Sequence, residues 1–163
     1  MYDRPLTIEQ ILTILAETPP RIVTLTAGLA SSQMRASPGH GEWSANDVLA
    51  HLRSCADVWG SCIEVILAQD KPTIRAVNPR TWIKSTNYPE QEFQSSLHVF
   101  VKQRTGLLKV LGQLAPEDWS RTATVTGAGK PLVLTILSYA ERMATHERPH
   151  VKQIERIVNT MRM

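Results

Sequence analysis

Two histidines placed four residues apart carry the clearest chemical signal in this chain: His146 and His150, in the run Thr145-His146-Glu147-Arg148-Pro149-His150. On a helix, that spacing stacks the two side chains on one face, about 6 Å apart along the axis. Neutral imidazole is the commonest protein ligand for transition ions, so the pair is a natural chelate. The plain alternative is two histidines on a solvated face. A third histidine, His51, falls at the edge of another apolar stripe, in line with Cys55, Val58 and Cys62. It is expected to point inward, either as a ligand or as a satisfied core histidine.

Four helical runs must position these residues. The first starts at Leu6-Thr7-Ile8, where Thr7 can cap, Gln10 can close a capping box and Leu6 can staple onto Ile11. Pro19 and Pro20 should stop it near Thr18; a second piece carrying Ile22, Leu25 and Leu29 completes this first arm. Helix two starts at Ser44, with Asp47 answering the cap and Trp43 and Val48 placed as a hydrophobic staple, and is expected to run to about Ala68. Helix three starts at Pro89-Glu90-Gln91-Glu92 and carries Phe93, Leu97, Phe100, Leu107, Leu111 and Leu114 inward. Arg104 falls on that stripe, where it would need a buried acceptor or could face the cavity; it is read as reaching the surface along its stem, while His98 is read as exposed.

The last helix is expected from Pro131 or Leu132 to about Thr160, after a short extended excursion or hairpin over 121–129. Its stripe is Leu132, Ile136, Tyr139, Met143, His146, His150, Ile154, Ile157 and Met161. Both histidines therefore sit on the core-facing side. Pro149 removes one backbone bond beside them and could re-aim His150 or make the rings diverge.

Between Gln69 and Tyr88 runs a connection rich in Pro, Asn, Thr and Arg. It is long enough to reach past a helix of about 24 residues and about 36 Å, so helices two and three can run parallel. The expected fold is all-α: one domain over residues 1–163, a four-helix bundle of up-down-down-up order with a long crossover between helices two and three. In that order His51, His146 and His150 come to compatible levels. Three histidines leave a fourth position open, the form that catalytic zinc takes, although three nitrogens alone equally admit nickel, iron or manganese.

Composition sets the outer limits. The 163 residues are 42% hydrophobic and 20% charged, ordinary for a globular domain. A formal net charge of +3, with Glu141, Glu147 and Glu155 interleaved among the C-terminal basic residues, argues against a nucleic-acid stripe. The opening Met1-Tyr2-Asp3-Arg4-Pro5 lacks a basic segment followed by an apolar run, and no stretch approaches the roughly 20 apolar residues that span a bilayer. A cytoplasmic protein with no nucleic-acid or membrane partner is expected. Cys55 and Cys62 lie seven apart on one helix, about 10 Å between Cα atoms, too far for a disulfide within it. They read as buried hydrophobes, the alternative being that either supplies a soft fourth ligand to a metal.

The motifs together resemble a family. Trp43-Ser44 with Val48-Leu49-x-His51-Leu52, the Arg104 helix ending before Asp118-Trp119, and His146-Glu147-x-x-His150 with Gln153-Ile154 are similar to the DinB-like (YfiT-like) four-helix bundles. The resemblance spans nearly the whole chain. It implies an up-down-down-up bundle, a divalent metal (commonly zinc or nickel) on His51, His146 and His150, and a homodimer. It also implies a metal-dependent enzyme acting on a small molecule, either a hydrolase or a transferase using a low-molecular-weight thiol. Ser54 stands where family members often place an acid, one turn after His51, so no carboxylate is expected to support that histidine.

Two other readings compete. His146-Glu147-Arg148-Pro149-His150 also fits the zinc-peptidase string H-E-x-x-H. Glu155 is the only acid among the thirteen residues after His150, no histidine follows, and Glu147 reads as a surface residue. The non-enzyme reading is a bundle with structural histidines, or a metal that only staples it, acting through dimerisation or partner binding. A filled core with no cleft beside the histidines would favour it.

Overall fold

The structure, a computed structural model, describes residues 4–163. The expectation drawn from Met1-Tyr2-Asp3 lies outside the described residues. Six helices and three strands follow the chain: α1 (Ile8–Thr26), α2 (Ser31–Arg35), α3 (Ala45–Ala68), β1 (Thr73–Arg75), α4 (Pro79–Trp82), α5 (Phe93–Gly112), β2 (Thr122–Thr126), β3 (Leu132–Thr135) and α6 (Ile136–Met161). The long helices α1, α3, α5 and α6 form a four-helix bundle in which α5 and α6 each pack against both α1 and α3. Among the described residues, no helix is long and apolar enough to cross a membrane.

Two core clusters give the helix directions. One joins Ile11 near the start of α1 to Ile63 and Ile66 near the end of α3, Leu111 at the end of α5, and Ile136 and Tyr139 at the start of α6. The other joins Ile22, late in α1, to Leu49 and Leu52 early in α3, Phe93 and Phe100 in the first half of α5, and Ile154 and Ile157 late in α6. Helices α1 and α6 therefore run one way, and α3 and α5 the other.

Local chemistry accounts for most starts. Thr7 and Gln10 exchange the two bonds of a capping box, and Ser44 and Asp47 do the same for α3. Three boundaries differ from the sequence-based expectation. Helix α1 runs through Pro19 and Pro20 instead of breaking near Thr18. Pro19 has no N–H to give the Leu15 carbonyl one turn back; that carbonyl instead accepts from Arg104 Nη1 at 2.9 Å. Helix α5 starts at Phe93 because the Glu92 carboxylate accepts from the Ser95 N–H, while Pro89 sits in a separate single turn. Helix α6 starts at Ile136, capped by Thr135, because Leu132–Thr135 pairs antiparallel with β2.

The crossover is structured as well. β1 pairs parallel with β2, completing a three-stranded sheet of order β1-β2-β3. A polar seam on α3 then pins the rest of the connection. Asn46 Nδ2 donates to Pro89 O at 2.9 Å, and Ser54 Oγ to Pro79 O at 2.7 Å. Asp57 accepts from Trp82 Nε1 and the Tyr88 hydroxyl. The Arg53 guanidinium stacks over Tyr88, 3.7 Å from its centroid. These bonds hold α4, and with it Arg80, beside the end of the bundle where α3 begins.

Candidate metal centre

His51 occupies the second turn of α3 and is only 5% exposed. His146 and His150 lie on α6. The three rings converge: their centroids are 5.0 Å apart for His51 and His146, 5.0 Å for His51 and His150, and 4.5 Å for His146 and His150. Pro149 has not split the α6 pair. His51 Nε2 faces His146 Nε2 at 3.1 Å. Two nitrogens bound about 2.0–2.1 Å from a tetrahedral ion would lie about 3.3 Å apart, close to what these residues present.

Each imidazole is prepared in a different way. The Gln153 amide oxygen accepts from His150 Nδ1 at 2.9 Å, so Nδ1 carries the proton and Nε2 keeps its lone pair. His146 Nδ1 is buried and without a hydrogen-bond partner. Burial, with the fields of His150 and then Arg80, pulls His51 down to about 4. Burial, followed by the fields of His150, His51 and Arg80, likewise takes His146 to about 4. Both are therefore neutral at pH 7, the state in which imidazole ligates. Trp43 meets His51 edge-on at 5.2 Å and Trp59 meets His146 edge-on at 5.1 Å, so each of these rings has an aromatic neighbour.

The tightest set of donor atoms is His51, Cys55 and His146, all within 4.8 Å of one another; His150 adjoins that set through its ring. Cys55 Sγ lies 3.7 Å from His51 Nε2 and 4.0 Å from His146 Nε2. Burial, and next the negative Glu147, push its thiol up to about 12, so without an ion it stays protonated. Three imidazoles with a thiol beside them are borderline-soft donors, and His146 Nδ1 stays without a partner in the group as it stands. The residues present fit a divalent transition ion.

Glu147 and Arg104 are neither solvated nor surface-directed, contrary to the sequence-based expectation. Both are 2% exposed. Arg104 Nη1 donates to Glu147 Oε1 at 2.8 Å and Nη2 to Oε2 at 2.5 Å, a two-pronged pair in the bundle interior. With its carboxylate turned to Arg104, Glu147 does not serve the H-E-x-x-H arrangement. The signal available in sequence was Arg104 itself, a charge on a core stripe that demands a buried acceptor. Ser54, as noted, holds the crossover, and His98 is exposed as expected.

His51 and His150 also border open space. A cleft of about 580 Å³ is walled by Trp43, Arg80, His150, Gln153 and Arg156. A smaller one of about 320 Å³, lined by Trp43, His51 and Arg80, lies alongside. The filled core that would have favoured a purely structural bundle is not what surrounds them.

Comparison with known proteins bears on the fold and the family. No curated protein matches the chain significantly by sequence. Among solved structures it is similar to YfiT from Bacillus subtilis, with a TM-score of 0.80 over 99% of this chain and 93% of that one, at 16% identity. YfiT is described as a probable metal-dependent hydrolase with an unusual four-helix bundle topology. The family model of the DinB superfamily matches residues 14–154. With most of its length matched by that model, and with the bundle and histidine placement described above, the chain belongs to the DinB superfamily.

Proposed function

We propose that this protein holds one divalent ion, zinc or nickel, through His51, His146 and His150, and works as a metal-dependent enzyme on a small molecule. The observation that carries the reading is the 3.1 Å approach of His51 Nε2 and His146 Nε2, both rings neutral, with His150, whose ring packs against both, on the wall of an open cleft. A bound ion would supply Lewis acidity there, lowering the pKa of a water or of an incoming thiol towards neutrality. The chain's own residues do the rest. Gln153 fixes the His150 tautomer so that Nε2 is the free donor, Trp59 packs edge-on against His146, and the large cleft, with Trp43 in its wall, admits the substrate beside His150.

The likeness to YfiT supports hydrolysis, and transfer to a low-molecular-weight thiol is the other branch of the same chemistry. A homodimer is part of the proposal. It is supported by the sheet edge at β3, where Leu132 and Val133 are 53% and 67% exposed.

A second reading rests on Cys55. If its sulfur joined the three imidazoles, the ion would be closed off at four ligands and would staple α3 to α6. Elemental analysis of dialysed, tag-free protein tests the first point. About one ion per chain is expected, lost in both His51→Ala and His146→Ala. No ion, and no uptake from added zinc or nickel, would overturn the metal reading. Cobalt substitution separates the two forms: an open three-nitrogen site shows no thiolate charge-transfer band, whereas a band lost in Cys55→Ser would establish the closed site.

A further inference from the structure

Beside the histidines, the larger cleft holds charges that the proposed metal chemistry leaves without a task. Arg80 reaches it from α4, held there by the Ser54–Pro79 bond and the Asp57 contacts to Trp82 and Tyr88. Arg156 reaches it from α6, six residues beyond His150 and so about 9 Å further along the axis. Both side chains are exposed, and neither makes an ion pair; the ion pairs among the described residues are Arg21–Glu155 and Arg104–Glu147. Glu42 is the one acid on the lining, so two guanidinium groups face one carboxylate. The Arg80 guanidinium also sits over the Trp43 ring, 5.3 Å from its centroid. Trp43 and Ile157 give the same cleft an apolar wall.

We infer that this cleft takes an organic oxyanion: a small molecule whose carboxylate or phosphate is clamped by Arg80 and Arg156, with its apolar part on Trp43 and Ile157. The guanidinium fork matches both oxyanions in two-pronged geometry, and the two unpaired cations raise the local concentration of anions. About 580 Å³ is the size of a small-ligand pocket. The anion is thereby held on the wall that the cleft shares with His150. This deepens the proposed function by naming its substrate class, and it rests on that reading only for what happens at the histidines.

The test is calorimetric binding of benzoate, phenyl phosphate and neutral benzamide to chelator-treated protein, repeated after zinc loading, with zinc content measured in each preparation. Working without metal removes direct coordination of the probe as an explanation, so failure here is distinct from failure of the metal site. Benzoate, phenyl phosphate or both should bind the metal-free protein and benzamide should not, and the stronger of the two anions identifies the group. Arg80→Gln and Arg156→Gln should each weaken that binding about tenfold or more. Arg21→Gln, an exposed arginine outside the cleft, should not. Both variants lie on exposed side chains, and circular dichroism checks that they fold. Anion binding only in zinc-loaded protein, equal affinity in both variants, equal binding of benzamide, or no binding at all would each overturn the inference.

Discussion

His146 and Glu147 are neighbours on α6, yet they look into two different kinds of polar interior. Glu147 meets Arg104 with both carboxylate oxygens bonded, and Arg104 spends a further N–H on the Leu15 carbonyl. That cluster is complete within the chain. His146 faces His51 nitrogen to nitrogen, with its own Nδ1 unanswered and Cys55 Sγ only 4.0 Å away. That cluster leaves one buried nitrogen unanswered. Buried polar groups are normally satisfied, so the contrast sets a closed structural device beside the cluster proposed above to take an ion.

The sharpest way to break the comparison is at the complete cluster. Arg104→Ala strands a buried carboxylate and a buried carbonyl, and should cost about 3–5 kcal/mol of stability in chemical unfolding of metal-free protein. Pairing it with Glu147→Leu should recover a substantial part, because the uncompensated charge disappears. A loss below about 1 kcal/mol for Arg104→Ala would mean that the pair is not closed as described. His146→Ala, in contrast, should leave metal-free stability nearly unchanged while abolishing uptake of the ion.

Acid should act next, and on the incomplete cluster. His51 and His146 titrate near 4 when folded and near 6.5 when unfolded, so the unfolded chain binds more protons between those values. Their contribution to stability is whole above about pH 6.5 and is lost as pH falls towards about 4. Thermal unfolding of metal-free protein should show a midpoint that drops across this window, and a smaller drop in His146→Ala. A midpoint equally flat in both proteins would contradict the burial of these rings.

The smallest effect is expected at Gln153. Removing its amide frees His150 to adopt either tautomer, and should weaken metal affinity about 10- to 100-fold without touching the fold. Competition with a chromophoric chelator reads this directly. Unchanged affinity would leave His150 outside the ligand set and favour His51, Cys55 and His146.

Much of this was legible in the sequence because it is local. Capping boxes at Thr7 and Ser44, the three-and-four spacing that turned His146 and His150 inward, and the length of the crossover all depend on residues close together in the chain. What escaped notice needed a distant partner. Pro19 and Pro20 read as a helix stop because the donor that replaces one missing N–H, Arg104, lies on another helix. Glu147 read as solvated because one step off a stripe normally faces water, and only the packing of α5 brings a guanidinium there. Leu132–Thr135 joined the helical stripe because its apolar residues fit that spacing, and only pairing with β2 settles it as a strand. Cys55 stands one turn after His51 on the same stripe, a spacing already visible in the sequence, whereas Arg80 comes beside the histidines through geometry that no spacing rule encodes.

The Leu15 carbonyl has a mechanical consequence. A hydrogen bond specifies both a donor–acceptor distance and an angle, a directional demand that apolar contact does not make. A single guanidinium that grips a carbonyl of α1 and a carboxylate of α6, from its seat on α5, acts as a vernier: it locks three rods to one axial mark. A slip of α6 by one residue would move its histidines about 1.5 Å relative to α3, enough to spoil a coordination sphere. The proline in α1, by leaving its carbonyl free, supplies the notch into which that mark is set.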